Sequence, residues 1–312
     1  MFNFLSVVIP TYNRRDVLAK ALEAYRVQSA PHMIRELIVV DDGSTDDTES
    51  LVREYAGKVP FQVRYLRQAN KGPAAARNYG IREVQSELVL FTDSDIIPGK
   101  NLVREHLGWH NRNLQTNAAV LGYVTWSAEV HPTPFMRWYG EHGIFAYELL
   151  RGRDKADFRF FYSCNLSLKA EYLRMCGQFD EDFKSAAYED LELGYRLNKK
   201  GLELFYNAGA IAYHHQFFSF QDACRKTWNN AESRRLFEQK EAGEHWLAEE
   251  RRREAALRFR VVTWIEAAVA IAIGWSKRLP DSGIRLPGVI YRCLYSGQVN
   301  SRCDANKAGS AK

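Results

Sequence analysis

Asp93-Ser94-Asp95 follows a short apolar run, Leu88 to Thr92, and Pro98 closes the segment. Two carboxylates spaced i, i+2 should therefore emerge where a buried strand meets a loop. In open α/β sheets, ligands gather outside the carboxyl ends of the strands. Hard oxygen ligands there suit Mg²⁺ or Mn²⁺, with substrate phosphates completing the coordination. A solvated Asp-Ser-Asp turn would use the same residues, so the tripeptide alone leaves both readings open. Lys71 and Arg77 flank a helix start at Pro73, where amide donors and cations favour phosphate. No Gly-Lys-Ser/Thr accompanies them, so this is not a P-loop. The alternatives are a structural ion pair for Arg77 and a solvated Lys71. Glu189-Asp190 opens an amphipathic helix carrying Leu191, Leu193, Tyr195 and Leu197, and His214-His215 ends the apolar stretch Ile211-Ala-Tyr213. Acidic residues also complement helix N-termini, and a His at a strand end is often structural.

These residues need a scaffold, and the first half of the chain spells one. Leu5–Ile9, Leu37–Val40, Val63–Leu66 and Leu88–Thr92 read as strands. Between the first two, Val17, Leu18, Ala21, Leu22 and Tyr25 fall on one helical face. Asp41-Asp-Gly-Ser-Thr-Asp46 is a turn leading to helix N-cap residues, and Pro73 favours a helix start. Alternating strands and helices imply parallel crossovers, an α/β chain with a doubly wound sheet. Ala118–Trp126 and Cys164–Leu168 read as further strands, with a Pro-containing aromatic stretch between them. Trp126, Trp138 and Tyr139 there could stack on a sugar or pack a core, and burial favours the core. From Phe220 to about Arg260 the pattern is helical and charged, and Ser301 to Lys312 is small, polar and expected to be disordered.

At 312 residues, 46% hydrophobic and 26% charged, the composition is that of a globular protein. A net charge of +5 is too mild to imply nucleic acid. Cys164, Cys176, Cys224, Cys293 and Cys303 form no Cys-x-x-Cys pair, which favours a reducing, cytoplasmic setting. The start Met1-Phe-Asn-Phe-Leu lacks the basic n-region of a signal peptide. Val261 to Trp275 contains Glu266 and falls short of the roughly 20 residues that a membrane span needs.

Six segments in order carry a resemblance: Val8-Ile-Pro-Thr-Tyr-Asn13, Val40-Asp-Asp-Gly-Ser-Thr45, Asn70 to Gly80, Asp93-Ser-Asp95, Tyr188 to Leu197, and His214-His215. Together they resemble a family 2 inverting glycosyltransferase of the GT-A fold, over roughly residues 4 to 216. The resemblance implies a Rossmann-like, mostly parallel sheet with a C-terminal helical extension. Residues 1–218 would form the catalytic domain, with a nucleotide-binding half to residue 98 and an acceptor half over 99–218. Residues 219–300 would be helical and 301–312 a tail. It further implies that Pro10, Thr11, Tyr12 and Asp42 hold the nucleoside, and that Lys71 and Arg77 meet the diphosphate. Asp93 and Ser94 would lie on the donor side, with Asp95, Asp93 and His214 around Mn²⁺ or Mg²⁺ and His215 as fallback. Asp190 would be the general base. Gly177-Gln-Phe-Asp-Glu181 is similar to the family's Gly-Gly-Phe-Asp-Glu, with Cys176 in place of the first glycine, and Asp180 there reads as a turn cap.

The implied reaction moves a sugar from a nucleotide diphosphate, UDP before dTDP or GDP, to a hydroxyl of a saccharide or lipid-linked acceptor, in cell-surface polysaccharide or glycolipid synthesis. Alternatives are a non-enzymatic sugar-nucleotide sensor and a nucleotidyltransferase of similar sheet architecture. The latter would need a glycine-rich loop straight after the first strand, which Pro10 to Arg14 does not supply. The basic, aromatic C-terminal helices (Trp246, Arg251, Arg252, Arg253, Phe259, Trp264) suit a peripheral contact with an anionic inner membrane face. A solvated helix, packing on the catalytic domain, or a homo-oligomer contact would use the same residues.

Overall fold

The computed structural model describes residues 1–248. Strands β1 (Leu5–Thr11), β2 (Ile34–Asp41), β3 (Gln62–Arg67) and β4 (Leu88–Thr92) alternate with helices α1 (Arg15–Arg26), α2 (Thr48–Ala56) and α3 (Pro73–Glu83). Then come β5 (Ile96–Pro98), α4 (Leu102–Arg112), β6 (Ala118–Trp126) and α5 (Pro134–Tyr139). The remainder is β7 (Lys155–Ala156), β8 (Asn165–Lys169), α6 (Ala170–Cys176), α7 (Glu189–Lys199), β9 (Glu203–His214), α8 (Phe220–Asn229) and α9 (Ala231–Glu238).

Two compact units form among the described residues: 1–127 with 147–215, and 128–146 with 216–248. The first holds one sheet in the order β3-β2-β1-β4-β8-β6-β9-β5, with β7 against β9. β1, β2, β3 and β4 pair in parallel, as right-handed crossovers through α1, α2 and α3 require. Every residue of β1 and β4 is buried, as expected of strands covered on both faces. β8 enters antiparallel between β4 and β6, and β6 then runs parallel to β9.

Alternate residues of β8 face α4 and build a buried polar chain. His106 Nε2 lies 2.8 Å from Asn165 Oδ1, and its Nδ1 lies 2.8 Å from Ser167 Oγ. His110 Nε2 reaches the same Ser167 Oγ at 2.9 Å. Lys169 Nζ meets His110 Nδ1 at 3.0 Å and donates to the Asn113 carbonyl at 2.8 Å. Asn165 Nδ2 donates to the Ala210 carbonyl at 2.9 Å, beside the β6–β9 register shift at Gly122/Tyr123. A Cβ on Gly122 would come within 2.3 Å of that amide nitrogen, so the close approach needs glycine. Burial pushes His106 down to about 4, His110 well below its ordinary value, and Lys169 to about 8.

In the second unit, Phe135 stacks on Tyr139 at 5.5 Å and meets Phe220 edge-on at 5.3 Å. Residues 128–146 of the aromatic stretch thus group with the chain beyond 216, whereas Tyr147 to Tyr162 belong to the first unit. α8 begins with a reciprocal capping box between Ser219 and Asp222. The expectations for Arg251–Arg253, Phe259, Val261–Trp275 and 301–312 lie outside the described residues, as does most of the 219–300 extension.

Candidate active site

At its carboxyl end β4 turns at once into β5, with Ile96 N–H donating to the Asp93 carbonyl at 3.1 Å. The two carboxylates of this turn take different partners. Arg77 Nη2 donates to Asp93 Oδ1 at 2.7 Å, and Arg14 Nη1 donates to Asp95 Oδ2 at 2.8 Å. His214 Nε2 stands 3.5 Å from the same Asp95 oxygen. Strand register brings that imidazole here: His214 is opposite Ile96 of β5 and Trp126 of β6. Trp126 stacks on it at 5.1 Å and is nearly buried, so its face serves the imidazole. His215 instead sends its ring to Ser127 Oγ at 3.2 Å, while its backbone N–H donates to the Asp95 carbonyl. Ser94 is buried between the two acids.

Arg77 is buried within α3. Besides Asp93 it donates through Nη1 to Glu189 Oε1 at 2.9 Å, and its guanidinium lies 5.4 Å from the Phe179 ring centroid. The ion-pair alternative thus describes its surroundings: two of its nitrogens are committed to carboxylates rather than turned towards a diphosphate. Asn78, the next residue, fixes Phe179 by two backbone hydrogen bonds of 2.9 Å. Gly177, with φ of +122°, ends α6 after Cys176 and makes the turn despite the missing first glycine. Asp180 Oδ1 accepts from Asp182 N–H at 3.0 Å, as a turn cap does.

The acidic pair opens α7 directly after Tyr188, whose φ of +72° is unusual for a bulky residue and holds the pair at a fixed angle. Glu189 is buried, and burial with the adjacent Asp190 charge raises its carboxyl to about 7 against the pull of Arg77. Its Oε2 has no hydrogen-bond partner among the described residues. Asp190 is half-buried and accepts from Leu191 N–H at 2.9 Å and from Ser163 N–H. Burial raises its carboxyl too, with Arg77 again opposing. A carboxylate raised by burial is a proton acceptor of useful strength nearer neutral pH.

The loops after β1 and β2 are knitted together. Asn13 N–H donates to Ser44 Oγ at 2.9 Å, and Thr45 N–H donates to Asn13 Oδ1 at 2.8 Å. Asp41 caps its own turn through Ser44 N–H at 2.7 Å and also accepts from Tyr65 OH. Asp42 accepts from Gln68 Nε2 at 2.7 Å, Lys71 N–H at 2.8 Å and Gly72 N–H at 2.8 Å. Three donors fill three of roughly four acceptor positions on a carboxylate, which leaves room for one more. Gly72 has φ of +94°, and a Cβ there would lie 2.6 Å from the Lys184 carbonyl oxygen, so only glycine lets α3 start here. Pro10 and Thr11 are buried, Lys71 is exposed, and Tyr12 is 47% exposed with its ring open to a flat partner.

Among the described residues no three His, Cys, Asp or Glu side chains cluster to hold a metal by themselves. Asp95 and His214 are brought together, whereas Asp93 turns to Arg77. A hard oxygen and an imidazole nitrogen facing one point fit Mn²⁺ or Mg²⁺ when phosphate oxygens supply the remaining ligands. Sequence reasoning missed Arg14 and the burial of Glu189. A cation directly after Tyr12-Asn13, on the loop facing the Asp-x-Asp, is the signal that could have found the first.

The glycosyl transferase family 2 model matches residues 6–174. Validoxylamine A glucosyltransferase of Streptomyces hygroscopicus subsp. jinggangensis is 32% identical over 223 residues, covering 64% of this chain and 52% of that protein. Chondroitin synthase of Escherichia coli is 29% identical over 249 residues, covering 68% of this chain and 34% of that protein. The chain thus spans about half the length, or less, of these relatives. The mannosyltransferase PcManGT from Pyrobaculum calidifontis, solved with GDP-Man and Mn²⁺, superposes with a TM-score of 0.62 at 20% identity, over 97% of this chain and 86% of that one. S. aureus TarS 1-349 with UDP gives 0.55 at 17% identity, over 98% and 92%. At these identities the likeness is one of fold.

Proposed function

The chain belongs to glycosyl transferase family 2 and has the GT-A fold, and on that premise we propose that it is a metal-dependent, inverting hexosyltransferase. It takes a nucleotide-diphosphate sugar, UDP-linked before dTDP- or GDP-linked, and passes the sugar to a hydroxyl of a saccharide or lipid-linked acceptor. The natural setting is cell-surface polysaccharide or glycolipid synthesis. The observation that carries this reading is the meeting of Asp93, Asp95, Arg77, Glu189 and His214 at the carboxyl ends of the strands, with Asp190 next to Glu189.

Each residue then has work that follows from its placement. Tyr12 offers its exposed ring to the nucleobase, while Pro10 and Thr11 shape the floor of the nucleoside site through their backbone. Asp42 holds the Lys71–Gly72 loop and has one acceptor position left for a ring N–H such as uracil's. Lys71 reaches the diphosphate as a mobile point charge. Asp95 and His214 hold the cation, Mn²⁺ or Mg²⁺, which when bound neutralises the charge developing on the leaving diphosphate. Asp93 faces the ribose and Ser94 sits beside it. Arg77 keeps Asp93 and Glu189 in place, so that the start of α7 presents Asp190 to the acceptor. Asp190 removes the hydroxyl proton as that oxygen attacks the anomeric carbon opposite the diphosphate. One displacement inverts the centre.

Residues to 98 supply the nucleotide side, and 99–218 most of the acceptor side. The thiols of Cys164 and Cys176, outside any disulfide among the described residues, support a cytoplasmic, reducing setting. Among the described residues no helix is long and apolar enough to cross a membrane, and peripheral membrane contact and self-association through the C-terminal region remain part of the proposal. A panel of nucleotide sugars tests the reading. One of them should be hydrolysed with Mn²⁺ or Mg²⁺ and spared with chelator, whereas a sensor would bind its nucleotide sugar and leave it whole.

A further inference from the structure

We propose that Arg14 is a positioning residue that holds Asp95 Oδ2 as a side-chain counter-cation and yields that oxygen to the divalent ion, its guanidinium passing to the donor's diphosphate. The inference rests on the metal site proposed above. Three features carry it. First, Arg14 Nη1 and His214 Nε2 address one and the same oxygen, at 2.8 Å and 3.5 Å. An ion shared by Asp95 and His214 would therefore meet the guanidinium charge at close range, and like charges so near in a partly dry site repel. Second, the two partners differ in freedom. Asp95 is only 12% exposed and its carbonyl accepts from His215 N–H at 2.8 Å, whereas the Arg14 side chain is 41% exposed.

Third, the backbone around Arg14 is fixed while its side chain is not. Asn13 is tied to Ser44 and Thr45, and Arg15 N–H donates to Asp46 Oδ2 at 3.1 Å. The guanidinium can thus swing from a constant anchor. A guanidinium fork matches phosphate oxygens bidentately, and the diphosphate would arrive on the same ion that displaces it. Arg77 makes the contrast: buried and gripped by two carboxylates, it stays where it is. Metal and nucleotide should accordingly bind with positive coupling, and the coupling is reciprocal.

Mn²⁺ binding to the whole protein, followed by electron paramagnetic resonance of the free ion, tests this without turnover. The proteins are wild type, Arg14→Met and Arg15→Met, each alone and with UDP or GDP added. Arg15→Met removes the same charge one residue away, where the guanidinium pairs with exposed Asp16. Losing a partly exposed ion pair should let Arg14→Met bind Mn²⁺ alone about three- to fivefold tighter than wild type. The same variant should gain less Mn²⁺ affinity from the nucleotide than wild type does, and Arg15→Met should match wild type within about twofold. Equal Mn²⁺ affinities in wild type and Arg14→Met, or an equal gain in Arg15→Met, would overturn the proposal. Absence of Mn²⁺ binding from every protein, nucleotide present or not, would overturn the metal reading and this inference with it.

Discussion

Two polar clusters are built on neighbouring strands of one sheet, and they are opposite in kind. The chain Asn165–His106–Ser167–His110–Lys169 is closed, free of carboxylates, and partnered link by link down to the Lys169 ammonium. The site cluster gathers Asp93, Asp95, Glu189 and Asp190 around Arg14 and Arg77, with one Glu189 oxygen unpaired and both neighbouring acids raised by burial. A fully satisfied network serves the fold. A concentration of acids held by two guanidiniums is costly to bury and is useful where a cation, a diphosphate and a proton must be handled. The difference separates the polarity of the fold from the polarity of the proposed site within one compact unit.

The sharpest way to break that contrast is to remove the buried cation. Arg77→Met strands Glu189 and Asp93, and loss of one partner from a buried ion pair costs about 3–5 kcal/mol. Urea denaturation should show a loss of that size, partly recovered when Glu189→Gln is added. A loss smaller than that from Ser167→Ala would undo the distinction. Ser167→Ala itself leaves His106 and His110 short of a partner, for about 1–3 kcal/mol. It should leave donor hydrolysis per folded molecule nearly unchanged, because nothing in that chain touches the site residues.

The pH responses should have opposite signs. His106 is depressed to about 4 and His110 is also lowered, so both contribute stability that is present above 6.5 and is lost as pH falls towards 4. Glu189 is raised from 4.5 to about 7, so its contribution is present below 4.5 and is lost as pH rises through 7. In denaturation midpoints against pH, His106→Gln should flatten the acid limb and Glu189→Gln the neutral one. A smaller effect still is expected for Arg53→Ala, whose exposed pair with Glu49 is worth under about 1 kcal/mol.

Much of this was legible in the sequence, and the gaps have physical causes. β4 and β6 begin and end where their apolar runs do, and Pro73 marks the first residue of α3. β5 and β7 are three- and two-residue edges, too short to show a period, and Pro98 is tolerated in β5 because it sits at an edge. Most of β9 was missed because Asn207-Ala-Gly209 interrupts it where the register shifts against Gly122. The insertion of β8 between β4 and β6 is a long-range pairing that local pattern does not encode. At the site, residue types were readable but partners were not. Strand register, not residue type, sets His214 rather than His215 beside Asp95. Arg77 reads as a phosphate ligand from its helix start, yet folding turns it inward onto Asp93 and Glu189.

Whether Asp190 takes the acceptor's proton in a site that binds a nucleotide sugar is decided by one paired measurement. Wild type and Asp190→Asn should bind the nucleotide with closely similar affinity in the presence of Mn²⁺. Turnover should fall by about 10²–10⁴-fold in the variant, the usual share of a general base. An Asp190→Asn protein with native fold and wild-type turnover would remove Asp190 from the role of base.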